Sequence, residues 1–367
     1  KLDGKIVYYE VQDTKMILRE ATDKEIAALA NKIVQAHHVD LPNANVETPR
    51  LALLTRQRAK DVVIYGTKSA NLGEIVTANL PGVRVPMGFG VPFYYYVQHM
   101  KQNHLDEEVD KLLKDPKFTT DVQWRKDALE ALKKKIMDAP VDPATLDMLY
   151  KRVRIKLGGK GVFVRSSTNS EDLPGFNGAG LYDTVGNVIG KRELGDALKF
   201  VWASLWNLRA VDERAAFGID HRQAYVGILV QIGVNATAAG VLVTKDLWDR
   251  TDDHSFTINS KWGLGERVVQ GQKVPEQIIF DPTNDGTKII SRSDDGIMLI
   301  FDDQGGTREV PVPPGSGVIL TEERAKKLAT MVSQFIPVFT HGQALDVEWV
   351  LQGEDFWIVQ ARPFVDH

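Results

Sequence analysis

Residues 161–184 read Gly161-Val162-Phe163-Val164-Arg165-Ser166-Ser167-Thr168-Asn169-Ser170-Glu171-Asp172-Leu173-Pro174-Gly175-Phe176-Asn177-Gly178-Ala179-Gly180-Leu181-Tyr182-Asp183-Thr184. A short apolar strand delivers an arginine at its end and then gives way to a polar loop with three glycines within residues 175–180. Such a loop is suited to holding phosphate. Glycine lets backbone N–H groups approach an anion and adopt positive φ, and a guanidinium fork makes bidentate, permanently charged contacts to phosphate oxygens. A glycine cluster alone fits an ordinary hairpin loop with a surface arginine as well. Two further segments tip the balance.

The first is Asp346-Val347-Glu348-Trp349-Val350-Leu351-Gln352-Gly353-Glu354-Asp355-Phe356-Trp357-Ile358-Val359-Gln360-Ala361-Arg362-Pro363, two alternating strands around a Gly-Glu-Asp turn. Period-two alternation puts Asp346 and Glu348 on one face of the first strand, and Gln360 and Arg362 on one face of the second. With a three-residue loop at 353–355, Gln352 pairs with Phe356, which sets Glu348 opposite Gln360 and Asp346 opposite Arg362. Two carboxylates, an amide oxygen and a guanidinium on one sheet face make a cradle for Mg²⁺ and a polyphosphate, because hard cations take oxygen ligands. A two-residue loop would put the pairs on opposite faces. A solvated face with ordinary cross-strand ion pairs is the plainer alternative.

The second is Gly66-Thr67-Lys68-Ser69-Ala70-Asn71-Leu72-Gly73-Glu74-Ile75, which follows the apolar run Val62-Val63-Ile64-Tyr65. At a strand-to-helix turn of this kind a lysine reaches a phosphate as a point charge, near the positive end of the helix dipole. The G-x-x-x-x-G-K-[ST] spacing of a P-loop is absent. Lys160, in Gly158-Gly159-Lys160-Gly161, reads as a solvated turn residue.

Together the three segments resemble the ATP-binding module of the phosphoenolpyruvate synthase and pyruvate phosphate dikinase family, a module shared with rifampin phosphotransferase and related to that of glucan water dikinase. The family patterns are G-G-K-[GS]-x-N-L-G-E, then V-R-S-S-x-x-x-E-D-L-x-x-x-x-x-A-G, then D-[IV]-E-W followed by Q-[AT]-R-P. All three occur here in that order between Tyr65 and Pro363. The resemblance implies an α+β, ATP-grasp-like fold with two lobes, mixed or antiparallel sheets and a helical N-terminal subdomain, with ATP and Mg²⁺ held between the lobes. It also implies AMP-forming transfer of phosphate to a histidine on a separate carrier domain, which delivers it to an acceptor such as pyruvate on an acceptor-binding domain.

Carried over position by position, the family's phosphate lysine falls on Lys68, its strand-end arginine on Arg165 and its second phosphate arginine on Arg362. Metal binding falls on Glu348 and Gln360, with Asp346 beside them. Gly178, Ala179 and Gly180 belong to the loop expected to cover the phosphates. Gln231, on the inter-lobe strand 226–231, is placed to meet adenine. Glu266, in Gly263-Leu264-Gly265-Glu266, approaches the metal or ribose on this reading, or else caps a helix. Thr67 and Ser69 stand where the family often has glycine, adding hydroxyls and removing backbone freedom.

None of the eight histidines has the family's carrier setting, G-G-x-[TS]-[ST]-H. The chain begins with Lys1 and ends just beyond Pro363, so it is expected to be a piece of a longer polypeptide or one subunit of a complex, with carrier and acceptor domains elsewhere. Two other classes stay open: an ADP-forming ATP-grasp ligase, and a nucleotide-binding regulatory module without turnover.

Composition agrees with this. At 367 residues and 43% hydrophobic content the chain can bury a large core, and a formal charge of −4 argues against a general nucleic-acid binder. The absence of cysteine excludes disulfides, thiolate metal sites and cysteine nucleophiles on this chain. No apolar run of about 18 residues and no signal-peptide pattern occurs, so a soluble cytoplasmic protein is the default expectation. Three regions are expected: an extension at 1–50 of open role, a first lobe at 51–235 and a second lobe at 236–367. The extension reads as a strand at 5–11 followed by a helix from Thr22 with Glu25 in capping-box position. Tyr94, Tyr95 and Tyr96 read as core residues before ligand-stacking ones.

Overall fold

Glycine punctuation and alternation decide where the strands fall, and apolar stripes decide the helices. The computed structural model describes residues 5–12, 15–26, 39–171, 173, 176, 178, 180–249, 251–252, 254–265, 274–339 and 343–365. The strand expected at 5–11 is β1 (Val7–Gln12), and it pairs with β2 (Lys15–Glu20) in a separate two-stranded sheet. The helix from Thr22 opens on its predicted box. Thr22 N–H donates to Glu25 Oε2 at 2.8 Å and Glu25 N–H to Thr22 Oγ1 at 3.4 Å. Its continuation lies outside the described residues.

Five strands make the next sheet: β3 (Ala52–Leu53), β4 (Gly88–Val91), β5 (Val162–Thr168), β6 (Thr184–Val188) and β7 (Val226–Ile232), in the order β3-β4-β7-β5-β6. β7 is central and covered on both faces, which is why its sequence reads as an unbroken apolar run. Helices pack on this sheet. Lys191–Ala203 turns the buried stripe Leu194, Leu198, Val201 and Trp202 inward. Val122–Asp138 and Pro143–Lys156 are capped by Asp121 and Asp142, which accept from the backbone N–H of Trp124 and Thr145. Tyr95 and Tyr96 are buried in the same core, and the Tyr96 hydroxyl accepts from Trp206 Nε1 at 3.0 Å.

The remaining strands are β8 (Ala238–Val243), β9 (Phe256–Trp262), β10 (Glu276–Asp281), β11 (Gly286–Ser291), the separate hairpin of β12 (Ile297–Phe301) and β13 (Thr307–Pro311), then β14 (Leu345–Gln352) and β15 (Asp355–Pro363). Six of them form a sheet in the order β11-β10-β9-β8-β14-β15. Every pairing between these named strands is antiparallel, so the chain is α+β. The helix Glu322–Ser333, capped by Thr321, packs Leu328 and Val332 into the apolar core of this sheet.

One helix, Thr67–Ala78, touches both sheets. Leu72 and Ile75 are buried in the core of the six-stranded sheet, while the first turn bonds to β5, with Ser69 N–H donating to Ser167 Oγ at 3.0 Å. The segment before it is not the expected strand but a single helical turn, Val62–Tyr65, broken at Gly66 with φ +79°. A Cβ at Gly66 would stand 1.9 Å from the Ser167 carbonyl oxygen. Only glycine lets the chain pass β5 so closely, and this approach brings Lys68 to the end of that strand.

His221 packs edge-on against Phe118 at 5.7 Å and accepts from Arg214 Nε at 3.3 Å. Burial, reinforced by the Arg214 charge, pushes its imidazole from 6.5 down to about 4. Between those values the unfolded chain takes up a proton that the folded chain refuses, so stability is full above pH 6.5 and falls as pH drops towards 4. The expected slope from this group is at most about 1.4 kcal/mol per pH unit. Urea denaturation of His221→Gln across this range should show a correspondingly flatter profile than the parent; an identical profile would remove the group from the pH dependence.

Candidate functional site

β14 and β15 are joined by a two-residue turn, Gln352 facing Asp355, with Gly353 at φ +62°. This corrects the three-residue loop expected from the sequence. Continued regularly, the tighter turn would set Glu348 opposite Val359 and send Gln360 to the other face. A bulge between Glu348 and Trp349 absorbs one residue: Trp349 faces Ile358, whereas Glu348 faces Gln360 and Asp346 faces Arg362. The predicted pairs therefore form, by a route that alternation alone does not reveal.

Arg165 is not at a strand end as expected from the sequence, because β5 runs on through Ser166 and Ser167 to Thr168; from mid-strand it reaches across to this hairpin and is 8% exposed. Its Nη2 donates to Glu348 Oε2 at 2.8 Å and to Gln360 Oε1 at 2.9 Å, and its Nη1 donates to the carbonyl of Val359, the residue that the bulge sets apart. Arg362 donates through Nε and Nη2 to Asp346 Oδ2, at 2.9 and 2.6 Å. Lys68 forms a largely buried ion pair with Glu171, whose second oxygen accepts from Thr168 N–H at 3.2 Å. Asn71, one turn along the helix from Lys68, donates to the Ala361 carbonyl at 3.1 Å. Lys68, Arg165, Glu348, Gln360, Asp346 and Arg362 thus belong to one connected region, fed by a helix N-terminus, the middle of a strand and a hairpin.

The remaining predicted residues divide. Gln231 is 2% exposed and lies on the same face of the sheet as Leu229, which pairs with Arg165, but its Nε2 is engaged by the Pro86 carbonyl at 3.0 Å. Gly180 adopts φ +67°. A Cβ on Gly178 would come within 3.0 to 3.1 Å of Glu171 and the Ser170 carbonyl, so that glycine permits the loop to lie against the carboxylate holding Lys68. Ala179 and Glu266 lie outside the described residues. Lys160 is exposed in its turn, as expected. Two participants were missed. Glu171 sits in the quoted loop, and its spacing from Thr168 is a legible turn signal; the Val359 carbonyl left no trace in the sequence.

Three cations face three carboxylates here, a formally neutral set. The donor chemistry also suits a hard cation. Glu348 Oε2 and Gln360 Oε1 already converge on one positively charged nitrogen, and a carboxylate with an amide oxygen is an Mg²⁺-type donor pair. Among the described residues no group of three His, Cys, Asp or Glu side chains forms a metal site by itself. Mg²⁺ commonly takes one or two protein carboxylates and completes its shell with substrate phosphates and water.

Because Arg165 ties β5 to the hairpin, its removal costs stability as well as ligand contacts. Arg165→Ala leaves the Glu348 carboxylate without its partner and should destabilise the protein by about 2–3 kcal/mol in urea denaturation. Arg165→Lys, which keeps the charge but not the fork, should fall between the two. A melting curve for Arg165→Ala matching the parent would show that the bridge is not formed in solution.

Residues 62–366 match the family model described as pyruvate phosphate dikinase, AMP/ATP-binding domain. The chain is 31% identical to a probable phosphoenolpyruvate synthase of Staphylothermus marinus, over 82% of this chain and 39% of that protein. It is 31% identical to a probable phosphoenolpyruvate synthase of Methanothermobacter thermautotrophicus, over 89% of this chain and 47% of that protein. A rifampicin phosphotransferase of Streptomyces is 31% identical over 81% of this chain and 34% of its own length. The chain thus spans less than half the length of these relatives. Among the described residues no helix is long and apolar enough to cross a membrane. The motifs around Lys68, Arg165 and the Glu348–Arg362 hairpin all fall within the matched span, and the chain belongs to the pyruvate phosphate dikinase AMP/ATP-binding domain family.

Proposed function

We propose that this chain is the Mg-ATP-binding module of a dikinase-type phosphotransferase, in which the five- and six-stranded sheets act as the two lobes of an ATP-grasp-like fold. The expected boundaries are those of the sequence, a first lobe at 51–235 and a second at 236–367, with 1–50 as an added piece. The module would form AMP and pass phosphate to a histidine on a separate carrier domain, for delivery to an acceptor such as pyruvate. The observation that carries this reading is the Arg165 guanidinium seated between Glu348 and Gln360, with Lys68 and Arg362 beside it.

In phosphoryl transfer, position and charge neutralisation supply most of the catalysis. Lys68, Arg165 and Arg362 would exchange their carboxylate partners for phosphate oxygens, and Glu348 and Gln360, with Asp346, would turn their oxygens to Mg²⁺. Mg²⁺ supplies charge neutralisation across the phosphates. The exchange gives the three cations phosphate partners and gives Glu348 and Asp346 a metal partner, while Glu171 keeps its bond from Thr168 N–H; ATP without metal would leave the carboxylates facing phosphate. Nucleotide affinity should therefore depend strongly on Mg²⁺. The loop with Gly178 and Gly180 would contribute backbone N–H groups to the phosphates, and Gln231 would meet adenine on the shared sheet face.

Glu348→Gln keeps an acceptor for Arg165 while removing the carboxylate charge. It should bind Mg-ATP at least about tenfold more weakly by titration calorimetry, with a melting point lowered less than that of Arg165→Ala. Unchanged Mg²⁺-dependent binding would defeat the metal assignment. Product analysis with a supplied carrier domain separates the readings: AMP supports the dikinase half-reaction, ADP with a carboxylate substrate an ATP-grasp ligase, and binding without turnover a regulatory module.

A further inference from the structure

Arg214 lies on the helix Leu208–Ala216 and is fully buried. Its guanidinium donates to the Tyr182 hydroxyl at 3.0 Å, to the Leu205 carbonyl at 2.8 Å and to His221 Nδ1 at 3.3 Å. Among the described residues it pairs with no carboxylate. Taking a cation out of water without an anion is expensive, and an apolar side chain of similar size would fill the space at lower cost. What the charge accomplishes is visible one step on. The Tyr182 hydroxyl is 2.7 Å from Ser170 Oγ, so a hydroxyl committed to the guanidinium as acceptor is oriented to donate to Ser170.

Ser170 belongs to a tight, fully buried turn. Its N–H donates to Thr168 Oγ1 at 3.2 Å, and Thr168 N–H donates to Glu171 Oε2 at 3.2 Å. The other oxygen of Glu171 holds Lys68. A path of hydrogen bonds, joined by the short covalent frames of Ser170 and Thr168, therefore runs from Arg214 through Tyr182, Ser170 and Thr168 to Glu171 and the lysine ammonium. All of these groups are buried or nearly so, where such bonds are strong and a missing partner is costly.

We infer that Arg214 is a positioning residue for the Lys68 ammonium, acting through Tyr182, Ser170 and the turn that carries Glu171. This rests on the proposed role of Lys68 as a phosphate contact, but the relay itself is testable without nucleotide. An amine held by a buried carboxylate is a poor nucleophile, and releasing it raises its reactivity. The experiment labels the full chain with an N-hydroxysuccinimide acetyl ester and follows Lys68 by peptide mass spectrometry, with exposed Lys160 as internal reference. Tyr182→Phe, which removes only the bridging oxygen, should raise the Lys68 rate about fivefold relative to Lys160. Glu171→Gln should raise it at least as much, and Arg214→Lys, which can still donate to Tyr182, should fall between parent and Tyr182→Phe. Ile136→Val, a core change in the helix Val122–Asp138, should leave the ratio unchanged, which separates the relay from general loosening. Ser170→Ala serves as a second break in the path should Tyr182→Phe not fold. A Lys68 ratio unchanged by breaking the path, or matched by Ile136→Val, overturns the inference. Mg-ATP titration of the same variants should show an affinity loss that follows the labelling change. Loss of nucleotide binding in the parent itself would instead remove the proposed function and leave the labelling result to decide the relay.

Discussion

The Arg165 guanidinium is the interaction around which the rest of the site is arranged. A buried guanidinium must have acceptors for its N–H groups, and Arg165 finds them on a different sheet: a carboxylate, an amide oxygen and a backbone carbonyl from two strands of one hairpin. That requirement fixes how β5 lies relative to β14 and β15. It also explains the bulge. In a regular ladder the Val359 carbonyl would be engaged by the neighbouring strand; set apart from the ladder, it is available to Nη1. Val359 and Gln360 then both lie towards Arg165, Val359 joining Phe163 and Trp357 in a small apolar cluster between the sheets. Polar and apolar contacts across the gap between the sheets thus come from adjacent residues of one strand.

The same geometry accounts for how an acidic protein could bind a polyanion. Charge of the chain as a whole does not favour ATP, since the formal net value is −4. What counts is local: cations that are largely buried and held in fixed positions, with interleaved carboxylates that offset their mutual repulsion. Each of these pairs is partly shielded from water, Lys68 and Glu171 at 12% and 5% side-chain exposure, Arg362 and Asp346 at 12% and 16%. Interactions there are stronger than at the surface, but so is the penalty for leaving one member alone. Under the proposed function, phosphate takes the place of the carboxylates beside the cations and metal the place of the cations beside Glu348 and Asp346, which limits that penalty, while Glu171 keeps its bond from Thr168 N–H.

Much of this was legible in the sequence, for physical reasons that can be named. Alternation has period two, so the sharing of a face by Glu348 and Asp346, and by Gln360 and Arg362, follows from the residues themselves; only the register between the strands needed more. There the turn is one residue shorter than expected and a bulge adds that residue back, so the two cancel. Neither is encoded in hydrophobic pattern, because a bulge is decided by a tertiary contact, here the one from Arg165. The strand expected at 62–65 failed for a similar reason: four apolar residues fit a buried strand or a helical turn equally well, and the approach of Gly66 to Ser167 selects the second. Glu171 was overlooked as a partner of Lys68 because the two are 103 residues apart and only folding joins them. Tyr95 and Tyr96, by contrast, followed the ordinary expectation that aromatics on a helix face the core.

The helix Thr67–Ala78 explains why so distant a pair can be relied upon. A lysine offered to an anion from a free loop would lose side-chain and backbone entropy on binding, and much of its Coulomb gain with it. Here the backbone term is already settled. Gly66 lies against β5, Ser69 N–H is bonded to Ser167, and Leu72 and Ile75 anchor the other end in the core of the second sheet. The ammonium is therefore carried on an element fixed at both ends, and what remains for binding to decide is a single side-chain choice between Glu171 and an incoming anion. The helix dipole favours the anion, since Lys68 stands in the first turn. Glu171 is held in turn by Thr168 N–H, so the carboxylate need not follow the lysine when that choice is made. A cation mounted rigidly on a helix N-terminus, with a fixed counter-charge beside it, is what distinguishes this lysine from exposed Lys160, which has the glycines but, among the described residues, neither the anchor nor the partner.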